Sequence, residues 1–331
     1  MPPVSIRRPL TITTWLVLAA AGLILSPLLL AAAAALAALR RDRKPLIFVR
    51  LLLTYLGYEL ATLIACGALW LAGGAGRLMR GRSFALLHWR LLRWYVHGFA
   101  GQAIAALGLR VAPEHTPAAT EALERSGPLL VFSRHAGPGD TILITDQLLS
   151  GFGRRPSVVF KEALVIDPCV DLLAHRLPHA VLDTSDREQC ETQISAVTQQ
   201  LDERGALLLF PEGGNFTRER RRSALAALRR KGHRREAAVA QQLPHVLPPH
   251  PTGVQTALEA NPAADVIFAA HTGLGLAAYP REVWRHMPIG GTLRMRMWHV
   301  PAADVPRDPD AQTRWLYEWW ERIDAWLAER E

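Results

Sequence analysis

A chain of 331 residues can hold one large domain or two small ones around a sizeable core. Half of it is hydrophobic, with much of the excess in the first 80 residues, and its formal charge is 38 − 30 = +8 with a pI near 10. That balance calls for an anionic partner, and basic residues flanking the apolar stretches favour a membrane surface. Nucleic acid is disfavoured, since no zinc-finger spacing or RNA-recognition signature is present. Cys66, Cys169 and Cys190 are few and scattered, which excludes a disulfide framework and a CxxC metal site.

In chain order, Thr11–Leu39 carries no charged side chain and is long enough to cross a bilayer. Arg7 and Arg8 precede it, as in a signal peptide. The run exceeds the apolar region of such peptides and no polar cleavage region follows, so an uncleaved membrane segment is predicted. Leu51–Gly76 forms a second apolar stretch with Glu59 as its only charge. Pro27 interrupts the first stretch, and Arg40, Arg41, Asp42, Arg43 and Lys44 link the two. Basic residues return at Arg77, Arg80 and Arg82. Two straight spans cannot put all three basic clusters on one side, so a single span or a hairpin dipping into one leaflet fits. Residues 1–80 thus read as a helical membrane anchor and 81–331 as a separate domain.

Ser83–Ala100 mixes Trp89, Trp94 and Tyr95 with His88, Arg90, Arg93 and His97. It suits a helix at headgroup level or a core-facing helix with a basic outer face. Beyond Val111 the pattern changes. Pro128–Ser133, Pro156–Phe160, Ala180–Leu182, Ala206–Phe210 and Asp265–Ala270 read as buried strands. Thr141–Ser150, Glu188–Glu203 and Leu225–Gln242 read as helices. This alternation predicts an α/β domain, a mainly parallel sheet flanked by helices. Arg314–Arg330 reads as a helix with Trp315, Trp319 and Trp326 on one face, packed on the domain; a membrane-interface role is the alternative.

Two polar clusters end predicted strands. His135 and Asp140 form an HxxxxD spacing beside glycines, with Asp140 where a helix N-cap belongs. A histidine can take a proton from a hydroxyl, and a carboxylate can orient the ring. Phe210-Pro211-Glu212-Gly213 ends another strand, and a parallel sheet gathers such ends on one edge. The bland alternatives are a capping aspartate and an exposed loop glutamate. His250 and His271 read as structural or surface residues. No HExxH or Cys/His metal pattern is present, so no metal is expected, and the absence of GxSxG argues against an α/β-hydrolase. Gly273-Leu-Gly275 is too short for a dinucleotide fingerprint.

The pair of blocks, HxxxxD and FPEG, resembles the signature of the lysophospholipid (1-acylglycerol-3-phosphate) acyltransferase family. Lys161-Glu162-Ala163-Leu164, His179–Asp183 and Val246–Gly253 resemble further blocks in the right order, so that the likeness covers roughly residues 85–300. The resemblance implies an O-acyltransferase that moves an acyl group from acyl-CoA or acyl-carrier protein to a lysolipid hydroxyl, with no cofactor. His135 would be the general base and Asp140 its support. Glu212, Gly213, Asn215, Arg218, Lys161 and Thr184 would lie at the substrate, and amides near Gly137 and Gly139 would face the oxyanion. Residues 81–331 would be the acyltransferase domain, on anionic lipid at the cell membrane and facing the cytoplasm.

Two positions depart from the family pattern. Asn215 and Thr184 stand where phosphate-facing arginines are usual, and neither supplies that charge. Either Arg218, Arg220, Arg221 and Arg222 replace it, or the acceptor lacks a phosphate monoester. A catalytically inactive membrane scaffold and a lipid hydrolase are the rival functions.

Overall fold

The computed structural model describes residues 3–79, 81–137, 139–274 and 284–330; Arg80, Pro138 and Gly275 of the patterns above lie outside these. The chain divides into two compact units, Met1–Leu109 with Phe160–Thr184, and Arg110–Val159 with Ser185–Glu331. The partition therefore differs from a single boundary near residue 80, because a mid-chain segment joins the N-terminal helices.

In the first unit, α1 (Val4–Ile24), α2 (Ser26–Arg40) and α4 (Arg82–Leu107) all pack on α3 (Lys44–Ala72). Among the described residues, α3 is the one helix long and apolar enough to cross a membrane. α1 and α2 qualify only as a pair bent by 63°. Pro27 explains the bend: it has no N–H, and its ring collides with the carbonyl one turn back. Glu59, the lone charge of its stretch, is buried and accepts from Tyr95 Oη at 2.7 Å. Gly98 of α4 lies against Tyr58 of α3, whose ring fills the space that a Cβ would take.

Arg7 and Arg8 are not a free basic flank. Their guanidinium groups reach the two oxygens of Asp171, each at 2.7 Å. Asp171 lies on α7 (Pro168–Ala174), whose N-cap Asp167 accepts from the amides of Cys169 and Val170. The pair that resembled a signal-peptide or lipid-facing cluster is used up inside the protein.

The second unit is built on a mainly parallel sheet, as the alternation predicted. Its strands are β1 (Arg110–Pro113), β2 (Leu129–Ser133), β3 (Arg155–Lys161), β5 (Gly205–Leu209), β6 (Asp265–Thr272) and β7 (Thr292–Val300), in the order β1-β7-β6-β2-β5-β3. The last residues of β3 belong to the first unit, as does β4 (Ala180–Leu182), the seventh strand of the sheet. β6 and β7 pair antiparallel, whereas β1–β7, β2–β5, β2–β6 and β3–β5 are parallel. β2 and β5 are buried along their whole length, the mark of central strands covered on both faces. β7 was not anticipated, although Leu293, Met295 and Met297 alternate with Arg294, Arg296 and Trp298 in the period-2 pattern of a half-buried strand.

Helices cover the sheet. α5 (Pro117–Glu124) leads into β2, and its C-terminal carbonyls are bound by the buried Arg154, whose Nε lies 2.7 Å from Leu123 O. α6 (Asp140–Asp146) and a π-helical turn (Gln147–Gly151) replace the single helix expected over 141–150. α8 (Arg187–Gln199) follows β4. The long helix expected over 225–242 is two, α9 (Arg218–Arg230) and α10 (Arg234–Gln241), broken at Gly232. α11 (Pro251–Ala260) was hidden by its proline-rich entry, yet proline at the first helical position is well suited to start a helix. α12 (Pro309–Ala328) packs on β6 as expected. Trp319 stacks on Phe268 at 4.5 Å, but the fully buried tryptophan is Trp320, outside the face drawn by the other three.

Candidate active site

β2 and β5 are neighbours, in register from Leu129↔Ala206 to Phe132↔Leu209, and both point the same way. Their C-terminal ends therefore bring the two polar clusters together. Phe210 and Gly213 close a turn by a 3.0 Å backbone bond, with Gly213 at φ +66°, where a side chain would be strained. The loop wraps His135: its N–H donates to Glu212 Oε1 at 3.3 Å, and its carbonyl accepts from the Phe216 amide at 2.9 Å. The Phe210 ring lies 4.5 Å from the imidazole.

His135 Nδ1 is 2.9 Å from Asp140 Oδ2, while 19% of its side chain stays exposed. A ring so held keeps its proton on Nδ1 and leaves Nε2 able to take one. Asp140 is fully buried and begins α6, so it is not the N-cap. Its Oδ2 folds back to accept from the amides of Ala136 and Gly137, the latter at 2.8 Å. The Gly137 amide, expected near an oxyanion, thus serves the carboxylate. Burial alone would raise the Asp140 pKa, but His271 and His135 beside it win and hold it well below the ordinary carboxylate range.

Glu212 is buried too. Its second oxygen accepts from the Leu247 amide at 3.2 Å, so it ties the loop after β2 to the loop before α11. Burial pushes its pKa up to about 8, against the pull of Arg134 and of the two amide bonds, and the charge of Asp140 adds to the rise.

Two residues of this corner were missed. Arg134 is buried and donates to the carbonyls of His271 (2.9 Å) and His245 (3.1 Å). His271, discounted as structural, lies fully buried with Nε2 3.1 Å from Asp140 Oδ1. The available signal was position: His271 sits near the end of β6, which pairs with β2 in parallel, and so reaches the same sheet edge.

The downstream arginines separate. Arg220 donates to the Asn215 carbonyl at 3.0 Å, and its guanidinium lies beside Gly214. Arg221 is spent on the carbonyls of Leu243, Ala240 and Gln241, where it caps the end of α10. Arg218 and Arg222 are exposed on α9. His250 packs its ring over Gly213 and donates its backbone N–H to Pro211 O at 2.8 Å. Lys161 ends β3 and Thr184 follows β4; both are exposed and belong to the first unit.

Such a corner, a histidine held by a buried aspartate at the edge of a parallel sheet, is equipped for proton transfer at a hydroxyl. Residues 116–255 match the family model described as Acyltransferase. The matched residues form an acyltransferase domain, and they include both the HxxxxD and the FPEG blocks. Among solved structures it is similar to the 1-acyl-sn-glycerophosphate (LPA) acyltransferase, PlsC, from Thermotoga maritima, at 17% identity with a TM-score of 0.55, over 86% of this chain and 99% of that one. At that identity the likeness is one of fold. No curated protein matches the chain.

Proposed function

We propose that the protein is a membrane-bound O-acyltransferase that moves a fatty acyl group from an acyl-CoA or acyl-carrier-protein thioester to the hydroxyl of a lysophospholipid or related lipid. The observation that carries this is the His135–Asp140 pair within the matched domain. His135 Nε2 takes the proton of the acceptor hydroxyl as its oxygen attacks the thioester carbonyl. The C–S bond then breaks, and the thiolate leaves with that proton. An ester and a free thiol result, with no acyl-enzyme. The nearby Asp140 carboxylate favours the imidazolium formed midway.

The acceptor end is the FPEG loop. Glu212 acts on substrate through the loop backbone that it ties. Arg220, whose guanidinium rests on the Asn215 carbonyl, supplies the cation that Asn215 lacks, and Arg218 stands at the start of the same helix. α3 and the bent α1–α2 pair would hold the enzyme at the membrane. The scaffold alternative rested on the missing arginines; the intact His135–Asp140 pair supports catalysis instead.

The test is thiol release from acyl-CoA by detergent-purified protein, with lysolipids that carry or lack a terminal phosphate. Release that needs the acceptor and falls about 10²–10⁴-fold in His135→Ala is expected. Equal release by that variant would refute the assigned base. Membrane binding without release, with acyl-carrier protein tried as well, would favour the scaffold. Free fatty acid formed without an acceptor would point to hydrolysis.

A further inference from the structure

The two oxygens of Asp140 have different tasks. Oδ2 accepts from His135 Nδ1 and from two backbone amides. Oδ1 faces a single side chain among the described residues, the imidazole of His271 at 3.1 Å, angled short of a fully formed hydrogen bond. His271 is fully buried on β6, where Val266 to Ala270 before it are all apolar. Neither of its ring nitrogens has another hydrogen-bond partner among the described residues. A buried imidazole is costly unless a polar group pairs with its nitrogens. Here the ring nitrogen Nε2 lies within reach of the buried oxygen of the site. Its own carbonyl is pinned by Arg134 Nη1 at 2.9 Å.

We propose that His271 is a positioning residue for acyl transfer: its Nε2–H anchors Asp140 Oδ1, so that Oδ2 stays aimed at His135 Nδ1. The corner is then His271, Asp140 and His135 in a row, with Glu212 on the His135 amide and Arg134 on the His271 carbonyl as the other ionisable neighbours. His271 exchanges no proton in turnover and makes no bond to substrate. Its effect is to keep the carboxylate from rotating as His135 gains charge, which lowers the reorganisation needed at that moment. The inference rests on the acyl-transfer reading for its consequence in rate, but the geometry it asserts can be measured without turnover.

Two variants of the full-length protein in detergent separate anchoring from packing. His271→Gln retains an N–H donor at comparable reach, and His271→Leu retains bulk without it. One readout is kcat and KM for thiol release from acyl-CoA with a lysolipid. The other is the Nδ1–H resonance of His135 in spectra of 15N-histidine-labelled protein, assigned by its loss in His135→Ala. In His271→Leu, kcat should fall about tenfold to hundredfold with KM little changed, and the Nδ1–H resonance should be lost. His271→Gln should restore both. The inference is overturned if His271→Leu keeps the wild-type kcat and resonance. It is also overturned if His271→Gln, unfolding at the wild-type temperature, falls as far as His271→Leu. If the wild-type protein releases no thiol from acyl-CoA or from acyl-carrier protein, the acyl-transfer reading fails, and the resonance alone decides whether His271 holds the pair.

Discussion

The ends of β2 and β5 each carry a buried carboxyl group, and the two behave in opposite ways. Asp140 and Glu212 are both out of water, and both accept backbone amides. Asp140 also has imidazoles at both oxygens, and its pKa is driven down. Glu212 has only amides and a more distant guanidinium, and burial drives its pKa up to about 8. Amide hydrogen bonds do not offset desolvation here, whereas adjacent groups able to carry positive charge do. One corner is therefore built to hold a charge, and the other to fasten loops while uncharged.

The largest expected effect tests the charged corner. In Asp140→Asn the new NH2 group must face either His271 or the amides of Ala136 and Gly137, which are themselves donors. In either orientation the negative charge beside His135 is lost, and kcat should fall about 10²–10⁴-fold, measured as thiol release. Retained activity would mean that the carboxylate charge is dispensable.

Next is the fastening corner. Glu212→Ala leaves the amides of His135 and Leu247 without an acceptor and should cost about 1–3 kcal/mol, read by denaturant unfolding. Glu212→Gln should cost less, because an amide and a protonated carboxyl are both uncharged. If the two variants cost the same, Glu212 is a charged group and the comparison breaks.

The smallest effect is in the pH dependence of stability. Between the ordinary carboxylate range and pH 8, unfolded Glu212 has lost its proton while folded Glu212 keeps it. Stability should therefore decline as pH rises through that window, and Glu212→Gln should remove this decline. Asp140 has the opposite sign: the stability it contributes is present above the ordinary aspartate range and is lost as pH falls below it, a loss that Asp140→Asn removes. Melting temperature against pH for the three proteins checks both slopes.

Much of this was legible from local pattern. Central strands such as Leu129–Ser133 are continuous apolar runs because both faces are covered, and polar residues at their ends stand out. Where local pattern has two outcomes, it misled. Gly232 breaks a seemingly continuous helix, and the proline-rich run before α11 starts a helix. Arg7 and Arg8 look like a basic flank until Asp171, more than 160 residues away, is seen to bind them.

The sequence by itself determined the strand-end placement of His135, Asp140 and Glu212, the α/β class and the apolar N-terminal helices, since each depends on periodicity or on residues a few positions apart. Only the tertiary structure decided which charges are used internally, that Glu212 is fastened to backbone, that Arg220 and not Arg221 reaches the Asn215 loop, and that His271 stands behind Asp140. Those depend on strand order and register, which bring together residues such as Asp140 and His271 across a separation that no local spacing encodes.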